Sequence, residues 1–89
     1  MIDLSKIKTT DGAQFDPETY EVMVRPLSDD EGGGWLAEIP SLPGCTGDGD
    51  TEMEAIRDVR LAAIEWANCA TNFGDPVPPP LHRNPIAAE

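Results

Sequence analysis

A chain of 89 residues holds one small domain and leaves no room for two normal cores. Its 17 acidic residues against 6 basic ones give a net charge of −11, which repels nucleic-acid phosphates and favours a basic protein partner. No apolar run approaches the roughly 20 residues that span a bilayer, and no apolar h-region marks a secretory signal, so a cytoplasmic location is expected.

The two cysteines, Cys45 and Cys69, make neither a disulfide framework nor a metal-ligand pattern. They read as reduced thiols, with Cys45 packed as a small apolar residue. A chain of this length buries only roughly 60–65% of its unfolded surface, so a second copy or a partner adds useful stability. A homodimer or higher homo-oligomer is expected on that ground.

Residues 1–18 are mixed and mostly polar. Ile2, Leu4 and Ile7 suggest a brief amphipathic turn or strand, but Asp11-Gly12 and Asp16-Pro17 interrupt it. The segment reads as a flexible N-terminal extension. Thr19–Leu27 reads as the first strand, with Tyr20, Val22 and Val24 on one face and Glu21, Met23 and Arg25 on the other. Ser28–Gly34, SDDEGGG, is a hairpin loop. No Lys-Ser/Thr follows its glycines, so it is not a phosphate cradle.

Trp35–Ile39 is a second strand, in which Trp35, Ala37 and Ile39 alternate with Leu36 and Glu38. Pro40 and Pro43 stop the sheet, and Gly44 permits a reversal. Cys45–Gly49 is a short, glycine-rich third strand. Asp48 and Asp50 flank Gly49, but two aspartates supply too few donors for an oxygen-ligated cation. They read as a solvated turn entering a helix, whose dipole favours acids there.

Thr51 and Glu54 have the spacing of a capping box, and one long helix is predicted from Thr51 to about Phe73. Ala55, Ile56, Val59, Ala62, Ala63, Trp66, Ala67 and Ala70 form one stripe, with Trp66 as its large anchor. Leu61 and Ile64 lie off the stripe and suit a second subunit. Gly74 and Pro76 end the helix. Residues 75–81, DPVPPPL, are held extended by proline, and residues 82–89 read as a C-terminal tail. The predicted fold is α+β: a small antiparallel sheet of three to four strands packed on one helix.

Several of these pieces form an ordered set: Tyr20-Glu21-Val22, Gly33-Gly34-Trp35, Glu38-Ile39-Pro40, Leu42-Pro43-Gly44-Cys45, Gly49-Asp50-Thr51, Glu54-Ala55 and Gly74-Asp75-Pro76 with Pro78 and Pro80. Together they resemble the HicB-like antitoxins, small partners of HicA-type ribonuclease toxins. The resemblance covers about residues 19–81, which are assigned to one HicB-like domain. It implies a partial ribonuclease-H-like fold in the order β-β-β-α-β, with the proline segment leading to a final edge strand. Many HicB-type proteins continue into a helix-turn-helix or ribbon-helix-helix domain. This chain ends at Glu89 without one, so operator binding is not carried over.

Enzyme readings find little support in the residues. The single histidine, His82, lies in the predicted tail, and no serine or cysteine has an assignable base. A ribonuclease-H-like fold raises a two-metal nuclease as an alternative, with Glu21, Glu38, Asp48 and Glu54 as candidate carboxylates. These fall mostly on an outward face or a helix cap. No catalytic residue, metal ligand or cofactor is therefore assigned.

A binding module fits better. Between Pro26 and Ile56 lie eight acids and no lysine or arginine. The resemblance implies an antitoxin that covers the active site of a basic, HicA-type messenger-RNA-cleaving toxin. The candidate partner-binding residues are Asp29, Asp30, Glu31, Glu38 and Asp48, with Trp35 anchoring the strand beneath. The alternative is a stand-alone acidic HicB-like protein-binding domain with no toxin partner.

Overall fold

The computed structural model describes residues 2–80. Three strands, β1 (Met23–Pro26), β2 (Trp35–Glu38) and β3 (Thr46–Gly49), precede one helix, α1 (Glu52–Asn72). The strands form an antiparallel sheet in the order β1-β2-β3, and α1 packs on one face of it. The fold is α+β, as the alternation of the strands and the stripe of the helix predict. Residues 75–80 contain no strand, and the continuation beyond them lies outside the described residues.

The register explains where β1 begins. Met23 pairs with Glu38, and Pro26 pairs with Trp35. Continued backwards, that register would set Tyr20 against Ser41, inside the Pro40–Gly44 turn, where no ladder exists. The strand expected from Thr19 is therefore shorter. Pro17–Thr19 instead form a 3-10 turn, which the Asp16 carboxylate caps by accepting the Glu18 N–H at 2.9 Å. Arg60 of α1 holds this turn, donating to the carbonyls of Pro17 at 2.6 Å and Tyr20 at 3.0 Å. Tyr20 leaves the sheet plane and enters the core.

β2 continues briefly past its last residue, since the Ile39 N–H donates to the Cys45 carbonyl at 3.1 Å. The turn between them brings Leu42 and Cys45 into the core. α1 starts at a complete capping box. Thr51 accepts the Glu54 N–H, and the Glu54 carboxylate accepts the Thr51 N–H, both at 3.1 Å. Its C-terminal end is a Schellman motif: Gly74, at φ 76°, donates to Thr71, and Asp75 donates to Ala70 at 2.8 Å.

The helix sits on β3 at backbone distance. Its buried stripe is Ala55, Val59, Ala63, Ala67 and Ala70. Small residues on both elements permit this approach, and the inward positions of β3 are Gly47 and Gly49. A Cβ at Gly49 would lie 2.7 Å from the Ala55 nitrogen. Trp66, expected as the large anchor, is only half-buried at the shoulder of the stripe. Its indole N–H donates to the Pro43 carbonyl at 2.9 Å.

Apart from Val59 on the stripe itself, the large fully buried side chains come from elsewhere: Phe15, Ile7, Ile39 and Leu42. Two of these belong to the segment expected to be an extension. That expectation does not hold for residues 2–18. Ile7 and Phe15 are fully buried, the Phe15 N–H donates to the Ile7 carbonyl at 3.0 Å, and the Phe15 ring meets Tyr20 with centroids 5.6 Å apart. An all-alanine and valine helix stripe on a glycine strand leaves volume at the far end of the sheet, and these aromatic residues fill it. Residues 75–80 close over them. Val77 is buried and accepts the Thr10 N–H at 3.0 Å, and the Tyr20 hydroxyl donates to the Pro78 carbonyl.

Candidate functional site: the open face of the sheet

Strand alternation divides the sheet into two faces. Val24, Trp35, Ala37 and Gly47 point toward α1 and the core. Met23, Arg25, Leu36, Glu38, Thr46 and Asp48 share the other face, and no described element covers it. The register sets Met23, Glu38 and Thr46 in one row, and Arg25, Leu36 and Asp48 in the next. Glu38 and Asp48 are thus diagonal neighbours on adjacent strands, a relationship that separates such side chains by roughly 7–8 Å. Both are exposed.

The face is not purely acidic. Met23 is 55% exposed, and with Arg25, Leu36 and Glu38 it borders a shallow hollow of about 70 Å³. The sequence reading assigned the acids of this face and missed its apolar floor. The same alternation that placed Glu38 outward also places Leu36 and Met23 outward.

The remaining acids stand at the hairpin tip. Asp29–Glu31 form a 3-10 turn after β1, and all three residues are exposed. Glu31 differs from its neighbours because it is structural. Ser28 and Glu31 make a second capping box, in which the Glu31 carboxylate accepts the Ser28 N–H at 3.1 Å. The carboxylate also pairs with Arg25 at 3.4 Å. The Ser28 backbone bond, with Arg25 next in effect, holds the Glu31 carboxyl below its ordinary range. Ser28-x-x-Glu31 has the same spacing as Thr51-x-x-Glu54, so the signal was present in the sequence. The structure therefore brings Glu38 and Asp48 together on one face and places Asp29 and Asp30 beyond its Arg25 end. Trp35 lies beneath, half-buried on the opposite face.

The carboxylates weighed for a two-metal site are dispersed. Glu54 is committed to the α1 cap, Glu21 precedes β1, and only Glu38 and Asp48 share a face. Among the described residues no group of three or more His, Cys, Asp or Glu side chains is placed to hold a metal ion. The Cys45 thiol is buried, and desolvation raises its pKa. His82 lies outside the described residues. Among those described, no helix is long and apolar enough to cross a membrane.

Comparison with known proteins gives one distant relative. The chain is similar to UPF0150 protein ssl0259 of Synechocystis, with 29% identity over 59 residues, which are 66% of this chain and 77% of that protein. No protein-family model matches the chain. No solved structure matches it.

Proposed function

We propose that this chain is the antitoxin of a toxin–antitoxin pair, and that it neutralises a basic, HicA-type messenger-RNA-cleaving ribonuclease by binding it through the open face of the sheet. The observation that carries this reading is the uncovered face bearing Glu38 and Asp48 on an apolar floor, in a chain of net charge −11. A ribonuclease must attract RNA phosphates and so presents cations around its active site. Carboxylates held on a rigid sheet compete for those cations, while Met23 and Leu36 supply apolar area that phosphate cannot offer. Asp29 and Asp30, beyond the Arg25 end, extend the negative field and steer the encounter. The HicB-like motif set supports the same reading, because its residues form the turn and strands that build this face. The chain itself acts by occlusion in the cytoplasm and performs no chemistry.

The test coexpresses the chain with the product of the adjacent reading frame and follows growth and complex formation. Relief of toxicity that is lost in the double variant Glu38→Gln/Asp48→Asn supports the reading. Absence of any toxic or binding neighbour sinks it and leaves the stand-alone acidic binding domain. Incubation of the purified chain with RNA in magnesium or manganese tests the nuclease alternative. Cleavage that disappears in the same double variant would establish catalysis instead of occlusion.

A further inference from the structure

The two edges of the sheet end differently. Just past β1, the Leu27 N–H donates to the Gly34 carbonyl at 2.8 Å. In an antiparallel ladder such bonded pairs alternate with non-bonded ones. The register therefore bonds Arg25 to Leu36 and Met23 to Glu38, and turns the backbone groups of Val24 and Pro26 away from β2. On the other side of the sheet, the bond from Ile39 to Cys45 fixes the parity in the same way and turns the Asp48 N–H outward.

The β3 edge is closed. The Asp48 N–H donates to the Asp58 carboxylate at 3.0 Å, and the Asp50 N–H donates to Glu54 at 3.1 Å. Side chains of α1 thus fill the positions that a further strand would need. The β1 edge has no such cover. Among the described residues, neither the N–H nor the carbonyl of Val24 has a partner. Pro26 fits this geometry, since the donor it lacks would have pointed away from the ladder.

An unpaired strand edge is a template for another extended backbone. The side chains around this edge define what that segment carries. Opposite Val24, its side chain enters the inner face, where Val22 and Val24 are half-buried, so that position is apolar. The positions on either side lie on the open face, next to Met23 and Arg25. Glu38 shares the row of Met23, two strand spacings or roughly 10 Å from an added strand. A lysine or arginine there lays its methylenes on the exposed Met23 and brings its charge to Glu38. Beside Arg25 a second cation would be repelled, so the residue there is neutral or acidic.

We infer that β1 receives an extended segment of the basic partner as a fourth strand, with a cation beside Met23, an apolar residue beside Val24 and a neutral or acidic one beside Arg25. The inference rests on the proposed ribonuclease partner and specifies its mode of attachment. The added strand continues the open face, so backbone pairing at the edge and contact with Glu38 and Asp48 belong to one interface.

The test is amide exchange followed by NMR on the full chain, alone and with the product of the adjacent reading frame. In the free chain the Val24 amide should exchange rapidly, while the Arg25 amide, bonded to β2, exchanges slowly. In the complex, exchange at Val24 should slow by about tenfold or more. Val24→Pro removes the outward N–H and leaves the bonds to β2 in place. It should raise the dissociation constant by about tenfold, the effect of one lost hydrogen bond, with the circular dichroism of the free chain unchanged. Val24→Ile keeps the N–H and should bind as the wild type does. If Val24→Pro does not fold, the wild-type exchange data decide alone. A complex in which Val24 exchanges as fast as in the free chain overturns strand addition and leaves the partner reading standing. Slow exchange at Val24 in the chain alone also overturns it, because the edge then already has a cover. If no adjacent product binds, the partner reading fails and this inference fails with it.

Discussion

Gly47 and Val59 touch through their backbones: a Cβ at Gly47 would stand 2.3 Å from the Val59 nitrogen and 2.8 Å from the Asp58 carbonyl carbon. No side chain can yield at such a contact, because both partners are main chain. Gly47→Ala should force α1 off the strand and cost about 3 kcal/mol in a denaturant melt. Gly44 serves as the comparison. It has φ 82° with nothing within 4 Å of its missing Cβ, so Gly44→Ala should cost only about 1–2 kcal/mol of backbone strain. Equal losses at the two sites would contradict the close approach.

The aromatic residues before β1 carry more of the core than the helix tryptophan. Phe15 is fully buried, whereas Trp66 is half-buried at the shoulder of the helical stripe. Phe15→Ala should cost about 3–5 kcal/mol as a large cavity in a closed site. Trp66→Ala should cost about 1–2 kcal/mol. Chemical denaturation followed by circular dichroism ranks the two, and a larger loss at Trp66 would return it to the role the helical stripe suggested.

Tyr20 gives the fold an alkaline limit. Desolvation, with the Asp11 charge next in effect, raises its pKa from 10.0 to about 12. A raised phenol pKa means the folded chain keeps a proton that the unfolded chain releases. The stabilisation is therefore complete below pH 10 and lost as pH rises through about 12. Tyr20 is the sole tyrosine, so the tyrosinate absorbance band reports this site alone. Its titration should coincide with alkaline unfolding. Tyr20→Phe should lower stability at neutral pH through loss of the bond to Pro78 and flatten the alkaline slope.

The hairpin acids should separate by role. Glu31 has a lowered pKa, through the Ser28 backbone bond first and Arg25 second, so its contribution is present above the ordinary carboxylate range and lost as pH falls through its folded value. Its NMR titration should fall below those of ordinary glutamates, and Glu31→Gln should speed amide exchange at Ser28 and Gly32. Asp29→Asn and Asp30→Asn should leave exchange unchanged. Against a basic partner, that pair should slow association and weaken its salt dependence, with little change in dissociation.

What the sequence declares, it declares locally. Alternation marks β2, the Pro40–Gly44 reversal needs its glycine at φ 82°, and Thr51 with Glu54 sets the helix start within a residue. Each of those signals acts over a few positions. The start of β1 does not, because its length is set by where β2 ends at the prolines. Nor does the burial of Ile7 and Phe15, which depends on the space an alanine-rich helix leaves at the far end of a glycine strand. The helical period gives the direction of Trp66 but not its height above the sheet. At the candidate site, Glu38 and Asp48 follow from strand parity, and the separate fate of Glu31 is written in the Ser28-x-x-Glu31 spacing, while its pairing with Arg25 depends on how the hairpin closes.

The bonds from Thr10 to Val77 and from Tyr20 to Pro78 join the earliest and latest parts of the described chain. During synthesis, Phe15 and Tyr20 leave the ribosome long before the segment that covers them. The sheet and α1 can assemble meanwhile from neighbouring pieces, but the pocket for the two rings stays open until residue 78 emerges. The nascent chain thus spends most of its translation with an aromatic pair unsheltered, and Val77 and Pro78 act as the latch. Ribosome-bound chains truncated before Val77 should be captured by chaperones that bind aromatic segments, and chains only a few residues longer, once clear of the exit tunnel, should escape them.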